Sequence, residues 1–328
     1  METPQMRYRS LGRCGTKVSV FGLGGWLTYG GSVTDEDAVR TILRAAFDAG
    51  VNFFDIADVY SGGQAERAMG RILKDFPRHE LVISSKVFFP VSDDVNDRGL
   101  SRKHIFESIH KSLRRIGTDY LDIYFCHRFD EHTPIEETAR AMDDLVHQGK
   151  IVYWGTSEWT GAQLRELHEI CDRRNLYPPR VEQPEYSLVA RAKFESDVRP
   201  AAMEHGMGMV VWSPLCMGIL AGRYDQGMPA DSRMAREEWL REYRYTNENL
   251  DRVRAFKPYA NAAGCSRAQL ALAWAAAQDG VSSVILGASR LKQLRENLGA
   301  LDVTVDDDLR SGLDELFPSA DDAQASRP

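Results

Sequence analysis

The sequence predicts an α/β chain folded as a (β/α)8 barrel, the TIM-barrel architecture, with an N-terminal β-hairpin and a C-terminal helical extension. Three observations carry that reading. Eight short apolar runs, each with the look of a buried strand, alternate with segments of helical period. Polar or aromatic residues with useful chemistry stand at or just past the ends of those runs, at Asp55, Lys86, His127, Ser157, Gln183 and Trp212. Successive members of that set lie roughly 30 residues apart or a little more, which is one βα unit each.

The elements follow in order. Residues 6–11 and 18–21 pair as the hairpin, and barrel strands are expected at 20–24, 52–55, 81–86, 120–127, 151–156, 180–184, 208–212 and 283–286. Thr34-Asp35-Glu36-Asp37 reads as a capped helix start, after which Val39, Ile42, Leu43 and Ala46 share one face and Gly50 ends the helix. Ile105, Ile109, Leu113 and Ile116 form a second stripe, closed by Gly117. Thr133-Pro134-Ile135-Glu136 combines an N-cap, a proline at the first helical position and a capping-box glutamate, ahead of Ala139, Met142, Leu145 and Val146. Thr160-Gly161-Ala162-Gln163 opens another helix, with Leu164, Leu167 and Cys171 inward. The longest irregular stretch, 218–247, is rich in Arg, Asp, Met and Tyr, and barrel loops of that length tend to be functional. Residues 1–318 read as one domain and 319–328 as a disordered tail.

Bulk properties narrow the function. A chain of 328 residues with 43% hydrophobic and 27% charged content suits one large soluble barrel. Its 41 basic residues against 48 acidic ones leave a net charge of −7, which argues against a nucleic-acid partner. The five cysteines (Cys14, Cys126, Cys171, Cys216, Cys265) are scattered and odd in number, which points to a reducing compartment and a cytoplasmic protein. No N-terminal secretory core precedes the barrel, and the longest apolar stretch, 270–277, is too short to span a bilayer, so no membrane role is expected.

The strand-end residues make a proton-transfer set. A tyrosine phenol, with a pKa of roughly 10, is a weak acid at neutral pH, and a nearby ammonium favours its phenolate. Lys86 beside Tyr60 would then make a usable general acid. Asp55 would keep Lys86 charged and in place, and His127 would hydrogen-bond a substrate oxygen. Singly, each residue has a bland explanation, since tyrosines pack, Lys–Asp pairs bridge and buried histidines satisfy cores. Their joint placement on consecutive strand ends favours the chemical one.

Asp55-Ile56-Ala57-Asp58-Val59-Tyr60, Lys86 and His127 resemble the Asp-Tyr-Lys-His tetrad of the aldo-keto reductase superfamily. Cys126-His127-Arg128, Trp154-Gly155-Thr156-Ser157-Glu158-Trp159, Val181-Glu182-Gln183-Pro184-Glu185-Tyr186 and Trp212-Ser213-Pro214-Leu215 are similar to the branch that holds the voltage-gated potassium channel β-subunits and their plant and bacterial relatives. Two departures stand out: Ile56 where the superfamily usually has Thr, and Cys216-Met217 in place of smaller residues. The resemblance implies NADPH-dependent reduction of a small aldehyde or ketone, with NADP(H) stretched across the barrel mouth. Trp212 would stack on the nicotinamide, with Ser157, Glu158 and Gln183 beside its carboxamide. Gly25 and Trp26 would line the first loop, Ser213, Pro214, Leu215, Arg223 and Arg233 would wrap the pyrophosphate, and Gly287, Ser289, Arg290, Gln293, Glu296 and Asn297 would hold the adenosine end. An arginine-bearing loop and a helix N-terminus after the last strand suit phosphate on physical grounds. The branch forms tetramers, which implies a homo-oligomer here by analogy.

Two rival readings stand beside this one. A cofactor-binding regulatory partner with vestigial turnover is one, against which His127 counts because animal channel subunits lack that histidine. A Schiff-base lyase using Lys86 is the other, and it leaves Tyr60 and Trp212 without a task. Gly22-Leu23-Gly24-Gly25 mimics a dinucleotide fingerprint, but the aromatic, glycine-rich stretch 26–32 follows instead of a helix. His127, Asp130 and His132 sit close together in sequence without the further ligands of a metal site. The substrate pocket depends on Trp26, the loops at 88–95 and 241–245, and Phe129.

Overall fold

The structure, a computed structural model, describes residues 5–230, 232–238, 241 and 244–319. A hairpin of β1 (Tyr8–Ser10) and β2 (Lys17–Ser19) precedes eight parallel strands that close into a barrel. These are β3 (Phe21–Gly24), β4 (Phe53–Asp55), β5 (Val82–Val87), β6 (Leu121–Cys126), β7 (Ile151–Thr156), β8 (Val181–Glu182), β9 (Gly208–Val211) and β10 (Val281–Leu286), bonded in that order, with β10 returning to β3. The helices between them are α1 (Glu36–Asp48), α2 (Gln64–Leu73), α3 (Arg102–Ile116), α4 (Ile135–His147), α5 (Gly161–Arg174), α6 (Arg199–Glu204), α7 (Arg233–Arg236), α8 (Asn247–Ala262) and α9 (Arg267–Ala276). α10 (Leu291–Leu298) and α11 (Asp307–Leu316) follow the last strand, and α11, the predicted C-terminal extension, packs on α8.

Most predicted caps form. Asp35 accepts from the Asp37 N–H at the start of α1, and Thr160 and Gln163 form a capping box on α5. α4 is an exception. Its cap is Pro134, which has no side-chain acceptor, because the helix begins at Ile135, one residue later than expected, and the Thr133 hydroxyl donates to Asp130 Oδ2 (2.7 Å). The strand predicted at 180–184 shortens to Val181–Glu182: Gln183 still donates to Thr156 O (2.8 Å), but Pro184 has no N–H to extend the ladder. Residues 242 and 243 of the predicted pocket loop lie outside the described residues, as does the predicted tail beyond Ser319.

Strand pleating sorts the residues. Phe53, Val82, Ile123, Phe125, Val181, Val210 and Ile285 fill the barrel interior, and Leu11 and Val18 of the hairpin join them from below. Each such side chain, fully buried, contributes roughly 1.5–3 kcal/mol. Gly12 makes the hairpin's close approach possible, with φ +56° and a Cβ position only 2.3 Å from the Gly208 nitrogen. Two residues on from the inward apolar set, the same pleat faces present Asp55, Ser84 then Lys86, His127, Gln183 and Trp212. The lower barrel is a packed plug, and its upper end carries the polar set. Among the described residues, no helix is long and apolar enough to cross a membrane.

Candidate active site

Backbone bonds to the neighbouring strand hold each candidate residue at the barrel mouth. The His127 N–H donates to Val87 O (2.9 Å), Ser157 to Cys126 O (3.0 Å) and Trp212 to Pro184 O (3.1 Å). Above them opens a cavity of about 1220 Å³. Six non-glycine residues of the surrounding loops, Leu27, Ser61, Glu158, Ser213, Cys216 and Met217, take left-handed backbone conformations. Such conformations carry strain and gather at functional sites.

The floor is an ion pair with no access to solvent on the lysine side. Lys86, wholly buried, donates to Asp55 Oδ2 (2.7 Å) and to the Ile56 carbonyl (2.6 Å). Asp55 Oδ1 accepts from Ser84 Oγ (2.6 Å) and Gln183 Nε2 (3.0 Å). Tyr60 enters from the loop after β4, and Lys86 Nζ lies 4.9 Å from its ring centre. The His127 ring meets Tyr60 edge-on at 5.7 Å and Phe89 at 5.0 Å. Asp55, Tyr60 and His127 all reach the cavity, while Lys86 stays beneath it.

The electrostatics correct one expectation. Lys86 does not bring the Tyr60 phenol down. Burial, followed by the Asp55 charge, pushes it well above its usual value of 10, and Arg128 is the cation that opposes this. The Lys86 charge is largely answered by Asp55, and burial itself lowers the lysine's own pKa. His127 falls well below 6.5 through burial, then through Lys86 and Arg128, so the imidazole is neutral, and its buried Nδ1 has no hydrogen-bond partner. Behind β5, Asp58 is pushed up to about 7 by burial, although Ser108 donates to it (2.7 Å).

The other wall is aromatic and basic. The Trp212 indole N–H donates to Glu158 Oε1 (3.0 Å), which fixes the ring, and Trp26 meets it edge-on at 5.9 Å. The Arg233 guanidinium lies 5.4 Å from the Trp26 ring centre. Trp26, Ser157, Glu158, Gln183, Ser213, Pro214, Leu215, Arg223 and Arg233 all line the cavity, as do Gly287, Ser289, Arg290, Gln293 and Asn297. Two expected contacts are not brought there. A Cβ on Gly25 would run into Met69 and Ile56 rather than the cavity, and Glu296 is exposed on α10, outside the cavity wall. Glu158 and Gln183 also spend hydrogen bonds on Trp212 and Asp55.

The site fits an extended dinucleotide. A Cβ on Gly287 would meet nothing within 4 Å, so glycine leaves the wall open there, and Arg290, the N-cap of α10, makes no side-chain cap bond. Phe89, from the pocket loop expected at 88–95, lines the cavity, as do Arg128 and Arg236, to which sequence reasoning gave no role. The signal for Arg128 was its place directly after His127. Among the described residues, no cluster of three metal-ligating side chains forms.

Comparison with known proteins agrees with the geometry. The profile described as "Aldo/keto reductase family" matches residues 20–317. A protein from Oryza sativa subsp. japonica named "Probable voltage-gated potassium channel subunit beta" is 45% identical over 303 residues, covering 91% of this chain and 92% of the relative. One of the same name from Arabidopsis thaliana shows the same identity and coverage.

Proposed function

The chain belongs to the aldo/keto reductase family of oxidoreductases, and from that premise we propose that it reduces a small aldehyde or ketone with NADPH in the cytoplasm. One observation carries the reading: Tyr60, a neutral His127 and Trp212 open on one cavity above the buried Asp55–Lys86 pair. Bound reduced nicotinamide supplies the hydride for the carbonyl carbon. Trp212, fixed by Glu158, offers a flat face for that ring, and Ser157 and Gln183 stand beside it. Gly287, Ser289, Arg290, Gln293 and Asn297 hold the adenosine end, with Ser213, Pro214, Leu215, Arg223 and Arg233 along the pyrophosphate.

Tyr60 is the proton donor. A phenol is already protonated at neutral pH, so a proton is available for the carbonyl oxygen, and the enclosure that raises its pKa opposes giving that proton up. As that oxygen gains charge, Arg128 is the cation that favours the phenolate left behind, and the buried Lys86–Asp55 pair lies beside the ring. His127, neutral, donates a hydrogen bond to the same oxygen and orients the carbonyl. Asp55 fixes Lys86 in place.

Steady-state oxidation of NADPH against a panel of sugar-derived and aromatic aldehydes tests the proposal. A rate that no carbonyl compound raises above the blank would sink it. The names of the two plant relatives favour a second reading, a cofactor-loaded partner of a channel with slow turnover. In that case NADPH would bind and persist whatever aldehyde was added.

A further inference from the structure

Arg128 follows His127 at the end of β6, and its guanidinium lies in the cavity wall. One Nη1 donates to the His127 carbonyl (2.5 Å) and stands 3.5 Å from Ser157 Oγ, while the group as a whole sits 5.4 Å from the Phe89 ring centre. Phe89 is in turn in contact with the His127 ring at 5.0 Å. Arg128 therefore stands next to the place where a substrate oxygen would meet Tyr60 and His127.

The carboxylates facing the cavity are otherwise engaged. Asp55 pairs with Lys86 (2.7 Å), Glu158 with the Trp212 indole (3.0 Å) and Lys193 (3.3 Å), and Glu185 with Arg244 (2.7 Å). Among the described residues, no carboxylate pairs with Arg128. The arginines Arg223, Arg233, Arg236 and Arg290 belong to the segments after β9 and β10, on the proposed cofactor side. Arg128 instead follows β6, next to His127 and Phe89.

We infer that Arg128 selects carbonyl substrates that carry a carboxylate, which it takes as an ion pair while Tyr60 and His127 engage the carbonyl. This rests on the reductase reading and narrows its substrate class. A guanidinium binds a planar carboxylate through parallel charge-assisted hydrogen bonds, and a partly enclosed wall strengthens the pair relative to bulk water. A neutral aldehyde of the same shape leaves the cation unanswered.

The test compares 4-carboxybenzaldehyde with its methyl ester, and short oxocarboxylates with their esters, in the wild type, Arg128→Gln and Arg128→Lys. Affinity is read by calorimetry on NADP+-loaded protein, and turnover separately by NADPH oxidation. The wild type should favour the acid over the ester by tenfold or more in both Kd and kcat/KM. The preference should shrink towards unity in Arg128→Gln and be partly kept in Arg128→Lys. Equal affinities for acid and ester in the wild type, or an unchanged ratio in a folded Arg128→Gln protein, would overturn the assignment even if both aldehydes were reduced. An acid preference in binding that depends on Arg128, with no reduction of either compound, would keep the assignment and remove the reductase reading instead.

Discussion

Lys86 Nζ sits 2.7 Å from Asp55 Oδ2, with the lysine wholly buried and the aspartate 3% exposed. The pair is satisfied on both sides: the ammonium also reaches the Ile56 carbonyl, and Asp55 takes hydrogen bonds from Ser84 and Gln183. Removing one partner leaves the other charge buried without its counterion, a loss of roughly 3–5 kcal/mol for such pairs. Lys86→Met should destabilise the fold by that amount in urea unfolding, and the double variant Lys86→Met/Asp55→Asn should recover part of the loss. A Lys86→Met protein as stable as wild type would mean that the pair does not carry this weight.

Tyr60→Phe should leave NADPH affinity near that of the wild type and nearly abolish carbonyl reduction, because the ring still packs against His127 but has no proton to give. Stopped-flow reduction with saturating aldehyde measures it. Turnover within tenfold of wild type would remove the general-acid role.

NADPH should bind more tightly than NADH. Arg290 opens α10 beside the cavity without a side-chain cap, and a 2′-phosphate there would gain charge-assisted bonds of roughly 1.5–3 kcal/mol each. That corresponds to about tenfold or more in affinity. Quenching of the Trp212 indole on titration reports both constants. Equal constants would leave the NADP preference without support.

His127→Asn should slow turnover partially and shift selectivity among aldehydes while NADPH still binds. An amide keeps a hydrogen-bond donor in place of the neutral imidazole but not its geometry. Single-turnover decay of nicotinamide absorbance over several aldehydes reads the change. Identical traces for both proteins would favour the channel-partner reading.

His168 on α5 stacks on His205 with ring centres 4.0 Å apart and planes 3° from parallel, and the Nε2 of each is buried without a partner. Burial, then His205 and Arg180, depress His168 from 6.5 to about 3. The folded value lies below the unfolded one, so the neutral ring's contribution is complete above pH 6.5 and lost as pH falls towards 3. At pH 4.5 the wild type should have lost roughly 3 kcal/mol that His168→Gln does not lose. Parallel acid-unfolding curves for the two proteins would contradict this.

Local periodicity made the barrel and much of the site legible. The helical stripe through Val39, Ile42, Leu43 and Ala46 and the helix start at Thr160-Gly161-Ala162-Gln163 depend on spacing within a few residues, and both form as read, the second closed by a capping box. Strand ends were legible for the same reason: two residues on from an inward Phe125 must come an inward His127. The Thr133 cap failed because the helix begins at Ile135, which leaves the cap position to Pro134.

What the chain by itself determined was which residues stand at the barrel mouth; what tertiary structure decided was what each of them faces. Gln183, expected beside a cofactor, lines the cavity and also donates its amide to Asp55, 128 residues away along the chain. Glu158 similarly answers Trp212 across a neighbouring loop. Lys86 was expected to draw down the Tyr60 pKa, but its charge is met first by Asp55, and enclosure of the phenol outweighs what remains. Desolvation and pairing depend on atoms that only barrel closure brings within a few ångströms, and no spacing within one strand encodes them.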